Sequence, residues 1–536
     1  MGRNRSRLIA AAAVVPAVFL AVFFVYPVAT VMWRGLGDGG LAPLRDLLDS
    51  GRTRDAIWFT LWQAVLSTLL TLAVALPGAA VVARSSARTQ RVLRALVTIP
   101  FVMPTIVVAG AFTELFTRFG LDDGTIRLRH TVWAILIAHV FFNYAVVVRT
   151  VGSFWAGLDA RMEDQARVLG AGRIRTFVEV TLPQLRPVIS AAAAIVFLFS
   201  FTSFGVVLVL GGPRQATIET EIYRYAVVRT DFTSGAALAA IQLIAVLTLV
   251  AVATRLERSR PLTVSTSHRA TVRRSPVGLA ANGTLAATLL ALPILVVVER
   301  SLTVGNAYGL DNYRALGTRL SMLPASATDA IQNSLVAAVS ATLIAAVIGT
   351  IAALVVVHGR GALRHVFDLG LTLPLGTSAV TIGFGILIAL DEPPLDLRSS
   401  WWIVPIVHSL VGIPFVVRTM VPVLRRIDPA LHEAAAVLGA SPRRVRREID
   451  LPIASRGLLV GASFAFAVSI GEFGATAFIP RRADTLTAPQ ALFRLLSTPG
   501  ELVRGQAMAL AVVLMGIVAL AVFAIESVRG THEGSL

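Results

Sequence analysis

The sequence predicts an all-α polytopic membrane protein with about twelve transmembrane helices, arranged as two parallel six-helix repeats. Three observations carry this expectation. Of the 536 residues, 55% are hydrophobic and only 15% are charged, whereas a soluble domain carries about 25% charged residues. Apolar runs of roughly 20 residues recur along the chain, each long enough to cross a bilayer as a helix. The second half also repeats landmarks of the first at nearly constant spacing.

The basic balance has a topological reading. Net charge is +17, yet every one of the 48 basic residues is Arg, and they gather in alternate loops. That pattern belongs to membrane topology, so no nucleic-acid partner is expected and lipid is. A phosphate-binding P-loop requires Lys; none is present, so a Walker A site in this chain is excluded. The absence of Cys excludes disulfides, thiolate metal sites and cysteine nucleophiles.

Taken in order, residues 1–7 carry three Arg and precede an apolar run over 8–31, too long for a signal-peptide core, so a retained helix is expected. Further spans are expected near 57–83, 95–117, 131–151, 187–210 and 236–254. A Pro-, Ser-, Thr- and Arg-containing linker at 255–275 has no apolar periodicity and reads as a tether. Six more spans are expected near 277–298, 330–357, 366–390, 401–424, 457–479 and 505–525. The expected organisation is therefore a first half at 1–254, the linker at 255–275 and a second half at 276–536. With the N-terminus inside, 30 of the 48 Arg fall in inside segments, which places both termini and the loops at 159–183 and 428–452 in the cytoplasm.

The repeat fixes the relation between the halves. Asp55-Ala56-Ile57 matches Asp329-Ala330-Ile331, and Pro100 matches Pro374, at an offset of 274. Beyond a small deletion the offset becomes 269, pairing Trp133 with Trp402, His139 with His408, Pro183 with Pro452 and Gly205 with Gly474. An even number of spans per half makes the repeats parallel.

The two polar loops are the most informative stretches. In each, Asp159 or Asp428 stands eleven residues before Gly170 or Gly439, and Gly stands thirteen before Pro183 or Pro452. Asp428 and Pro429 suit the start of a helix, Gly439 a left-handed stop, and Ser441-Pro442 the start of a second helix. Pro183 and Pro452 are expected to end that second helix as the chain re-enters the membrane. A helix–Gly–helix elbow of this kind is a rigid lever.

At these residues the chain resembles the permease subunits of binding-protein-dependent ABC importers. The second loop carries the family's pattern in full: Glu433-Ala434-Ala435, Gly439 and Ile449-Asp450-Leu451-Pro452. The first departs from it, with Asp164-Gln165-Ala166 in place of the triplet but Gly170, Leu182 and Pro183 kept. Two halves in one chain resemble the fused thiamine and ferric-iron permeases. The stretch from Phe201-Thr202-Ser203-Phe204-Gly205 to Ile222-Tyr223 is most like the thiamine type, and Gly471-Glu472-Phe473-Gly474 is shared more widely. The resemblance implies a bacterial inner-membrane subunit with no cofactor of its own. A homodimeric ATPase would bind ATP and Mg and receive one loop in each groove. An extracytoplasmic solute-binding protein would deliver thiamine or its phosphates, or alternatively ferric iron, to outer loops near 34–55, 211–235, 299–328 and 480–504. Arg173, Arg175, Arg443, Arg444, Arg446 and Arg447 serve either the ATPase or topology.

Inside the spans, Glu472 and its repeat equivalent Ser203 are candidates for the path, because intramembrane carboxylates face cavities or partners. Glu114 and Asp391 are expected as wet interface residues, and His139 and His408 as hydrogen-bonded packing groups. No paired acids, no nucleophile with a base and no metal-ligand cluster occur, so catalytic and metal residues are none, and the chain is not expected to be an enzyme. A secondary transporter is the rival with similar architecture; it would need no elbow and more intramembrane charge.

Overall fold

The computed structural model describes residues 2–37, 42–122, 126–258, 283–359, 377–391, 395–480 and 482–530, with single positions at 361, 367 and 370. Almost all of the described chain is helical; the strands among it are Thr303–Val304 and Ala307–Tyr308. Ten described helices are long and apolar enough to cross a membrane. The linker beyond Arg258 and Pro374 lie outside the described residues.

The third expected span is not one rod. Its arms Val92–Val102 and Thr105–Arg118 meet at 94°. Pro100 lies in the first arm and Pro104 caps the second, and Met103 between them is extended. Proline removes a donor and forces the residue before it out of the helical region. In the matching ninth span the described part is the apolar helix Ala379–Ala389.

The prolines of the two polar loops do not end helices, contrary to expectation. Helix runs on from Arg173 to Phe201 in the first half. In the second it runs from Arg447 through Leu451–Gly471. A five-residue π turn absorbs each proline: Phe177–Thr181 before Leu182-Pro183 and Arg446–Asp450 before Leu451-Pro452. The same device precedes Pro27, at Ala21–Val25, and Pro293, at Ala287–Ala291. At three of the four, the N–H just before the proline bonds five residues back: Tyr26 to Ala21, Leu182 to Phe177 and Leu292 to Ala287. The widened turn relieves the clash between the pyrrolidine ring and the preceding carbonyl.

Two of the loops expected to face outward are not open loops. Within 211–235 and 480–504 the chain forms the short helices Ile218–Tyr223 and Ala488–Leu496. Both bury much of their length, including Ile218, Ile222, Ala488 and Leu492. Each is fixed at its start by a hydroxyl from a long helix. Ile218 N donates to Thr60 Oγ1 at 2.9 Å, and Ala488 N to Ser334 Oγ at 2.7 Å. Thr60 and Ser334 are repeat equivalents at the 274 offset.

The described chain packs as two compact units. One comprises Met1–Arg45, Ile222–Leu243 and Val304–Leu536; the other comprises Asp46–Glu221 and Ile244–Thr303. Each unit thus contains the opening helix of the other sequence half. In the first unit, Ala13, Leu20 and Phe24 join one apolar core with Ile348, Val407 and Ile413. Gly35 there lies so close to Ala236 that an added Cβ would come within 2.6 Å of its carbonyl oxygen. In the second unit, Leu292–Leu302 packs on Thr105–Arg118. Two ion pairs tie those helices, Arg300 to Glu114 at 3.4 Å and Arg118 to Glu299 at 3.6 Å. Glu114 is therefore a buried, paired carboxylate and not the wet interface residue expected. Asp391, partly exposed, pairs with Arg398 at 2.8 Å.

Candidate functional site

Each polar loop is a short capped helix held off the end of a long one. In the first loop, Asp159 accepts from Arg161 N at 3.0 Å and starts the helix Ala160–Val168. In the second, Asp428 accepts from Ala430 N at 2.9 Å, and Pro429 begins the helix Pro429–Val437. Side-chain oxygens at these positions satisfy N–H groups that the first turn leaves unpaired. Both helices stop in the left-handed region, Gly170 at φ +85° and Gly439 at φ +72°. Nothing lies within 4 Å of a Cβ built at either glycine, so conformation and not crowding selects glycine there.

The family-signature residues differ in how far this frame covers them. Asp164, Gln165, Glu433, Ala434, Gly170, Gly439, Pro183, Leu451 and Pro452 are exposed; Ala166, Ala435 and Leu182 are half-buried. Asp164 lies 3.8 Å from Arg167, which also pairs with Glu163 at 3.5 Å. Of the basic residues, Arg175 pairs with Glu179 and Arg444 with Glu448, both at 3.0 Å and one turn apart. These pairs are repeat equivalents, and they tie two of the arginines locally.

Sequence reasoning passed over the apolar tips. Val168 and Leu169 are both 87% exposed, and Val437 and Leu438 are 88% and 85% exposed. Two adjacent, largely exposed aliphatic side chains at the same place in both loops form an uncovered apolar tip on each. The signal was present: an apolar Val-Leu pair directly before the glycine, repeated at offset 269. A rigid apolar knob on a capped helix suits a groove in another protein.

The intramembrane candidates are held by short-range contacts. His139 lies between Ser67, 2.8 Å from Nδ1, and Ser203, 2.9 Å from Nε2. His408 meets Ser469 at 2.6 Å through Nδ1. Glu472, at the place equivalent to Ser203, is turned onto its own loop and accepts from Ala475 N at 2.8 Å. Among the described residues no cluster of three or more His, Asp or Glu is arranged to hold a metal ion.

Comparison with known proteins reproduces the same repeat. Residues 75–259 and 316–527 each match the family described as binding-protein-dependent transport system inner membrane component. The chain is 30% identical over 492 residues to the thiamine transport system permease protein ThiP of Brucella abortus, covering 87% of this chain and 86% of that protein. It is 24% identical over 479 residues to ThiP of Escherichia coli K12, covering 88% and 87%. A putative 2-aminoethylphosphonate transport system permease protein, PhnV of Salmonella typhimurium, is 30% identical over 258 residues, 47% of this chain and 96% of its own.

Proposed function

Since the chain belongs to the family of binding-protein-dependent transport system inner membrane components, we propose that this ABC importer permease carries thiamine or its phosphates. The observation behind the substrate is the likeness to thiamine permeases over 87% of the chain; the shorter likeness to a phosphonate-type permease covers 47%. The family works with an ATPase and a solute-binding protein. In our reading the ATPase is a homodimer with one groove for each loop, at 159–183 and 428–452, and it alone holds ATP and Mg. Both termini face the cytoplasm, in keeping with the arginine distribution. The covalent halves are 1–254 and 276–536, joined by 255–275.

The geometry of the loops supports the following roles. Val168-Leu169 and Val437-Leu438 enter the grooves, and the capped helices keep them aimed. Asp164, Gln165, Ala166, Glu433, Ala434 and Ala435 line the flank that meets the groove wall. Gly170 and Gly439 set the elbow, while Leu182-Pro183 and Leu451-Pro452 carry the movement into the membrane helices. Ser203 and Glu472 lie beside the path, where a cationic solute favours a carboxylate.

The test is uptake of labelled thiamine by vesicles containing the permease, its ATPase and its binding protein. Uptake should require ATP and persist in the presence of excess ferric iron or 2-aminoethylphosphonate. In Leu438→Asp a charge replaces a desolvated anchor, a change worth on the order of 2 kcal/mol or more, so recovery of the ATPase with the permease should fall at least about tenfold. Thiamine uptake without ATP, or full recovery of the ATPase with that variant, would overturn the reading.

A further inference from the structure

Both loops are closed by the same contact built from different chemistry. In the first, Thr181 Oγ1 donates to Glu163 Oε1 at 2.7 Å. In the second, His432 Nε2 donates to Asp450 Oδ1, also at 2.7 Å. Residues 163 and 432, and 181 and 450, are related by the same 269 offset as the rest of the loop. The first member of each pair is the fourth residue of the short helix, and the second is the last residue of the π turn. Each contact therefore ties the outlying helix to the helix that enters the membrane, across eighteen residues of chain.

In the second loop, packing supplies little of that tie. The helix Pro429–Val437 buries none of its residues, and the glycine that ends it touches nothing through a Cβ position. A helix with no fully buried residue, on an open glycine elbow, has little packing to resist bending there. In the first loop Glu163 is also steadied by Arg167, and Thr181 is buried. In the second the pair is wetter, with side chains 40% and 29% exposed. Both side chains differ between the halves, yet the contact is kept at the same length. What is common to the halves is the brace and not the residues.

We propose that Glu163–Thr181 and His432–Asp450 are positioning braces that fix the direction of each short helix against the membrane helix next in the chain. Resting on the reading that these helices dock with an ATPase, the braces make a push on the tip move the membrane helix instead of folding the elbow at Gly170 or Gly439.

The test uses the full-length permease in lipid nanodiscs and two readouts, amide hydrogen exchange of 429–437 and ATP-driven uptake with the complete transporter. His432→Glu sets like charges together. It should raise exchange over 429–437 by roughly 3- to 10-fold, in line with a partly exposed pair, while 160–168 stays unchanged. Uptake per ATP hydrolysed should fall with it. His432→Glu combined with Asp450→Thr transplants the first loop's pair and should return both readouts to within about twofold of the starting protein. A purely local loss of stability would not be restored by that exchange of chemistries. Thr181→Val, which keeps side-chain volume and removes only the hydroxyl, should raise exchange over 160–168 alone. Unchanged exchange in His432→Glu or in Thr181→Val, or a double variant no better than the single, would overturn the proposal. Exchange needs no transport, so failure of the unaltered complex to take up substrate would count against the docking reading and leave the braces to be judged separately.

Discussion

Gly439 and Gly383 are both glycines by necessity, but for opposite reasons. Gly439 sits at φ +72° with open space around it. Gly383 has an ordinary backbone, but a Cβ there would collide with the main chain of Ala475. Gly439→Ala places an L side chain in the left-handed region at about 1–2 kcal/mol, confined to an exposed elbow. Its thermal unfolding in detergent should be nearly unchanged, while ATP-driven uptake falls severalfold. Gly383→Ala must move backbone inside a packed unit and should cost about 1–3 kcal/mol. Its unfolding temperature and membrane level should drop before any transport defect can be assigned. Equal thermal losses in the two variants would contradict this division. The elbow glycine was legible in the sequence, because a cap, a short helix and a glycine recur at fixed spacing. The need at Gly383 was not, since it depends on a partner some ninety residues away.

At the scale of elements, the recurring device is a π turn set ahead of a proline. Four of the prolines in described helices, at 27, 183, 293 and 452, are each preceded by one such turn, whereas Pro16, Pro77, Pro414 and Pro422 lie within α-helices without one. The extra residue in the turn rotates the helix after it relative to the helix before it. At Pro183 and Pro452 this turn lies between the elbow and the long helix that follows. Pro452→Ala restores an N–H and removes the ring clash, so the turn is free to relax to ordinary α geometry. Thermal stability should stay level or rise, and uptake should fall severalfold as the elbow is re-aimed. A variant that transports normally with raised stability would show that the widened turn has no role in the movement. Sequence alone suggested that these prolines end helices. That expectation fails because a helix can carry a proline onward, through a widened turn at Pro183 and Pro452 and within ordinary α-helix at Pro77 and Pro414.

At the scale of the whole molecule, each compact unit draws its residues from both sequence halves. Helix-forming residues of 1–36 belong to a unit otherwise built mainly from 304–536, and 292–302 belong to the unit of 46–221. Each half, alone, lacks the helix that covers part of its apolar surface. If the chain is divided within 259–275, the second half expressed by itself should be degraded. Co-expression of both pieces should restore its level several-fold in membranes, as quantitative immunoblotting would show. A second half that is stable alone would mean that Ala13, Leu20 and Phe24 contribute little to the core they join.

Composition and periodicity by themselves determined that this chain is helical, crosses a membrane many times and repeats itself, because lipid leaves a spanning segment few other forms. Spacing also placed the caps and glycines of both loops, which are local features set by neighbouring residues. Tertiary structure alone decided what depends on distant partners. It exchanged the opening helices between units and buried Glu114 against Arg300. It also folded the loops 211–235 and 480–504 onto the hydroxyls of Thr60 and Ser334, and left Val168, Leu169, Val437 and Leu438 bare. A hydrophobic residue reads the same in sequence whether it is covered or exposed; only the fold shows which ones remain uncovered.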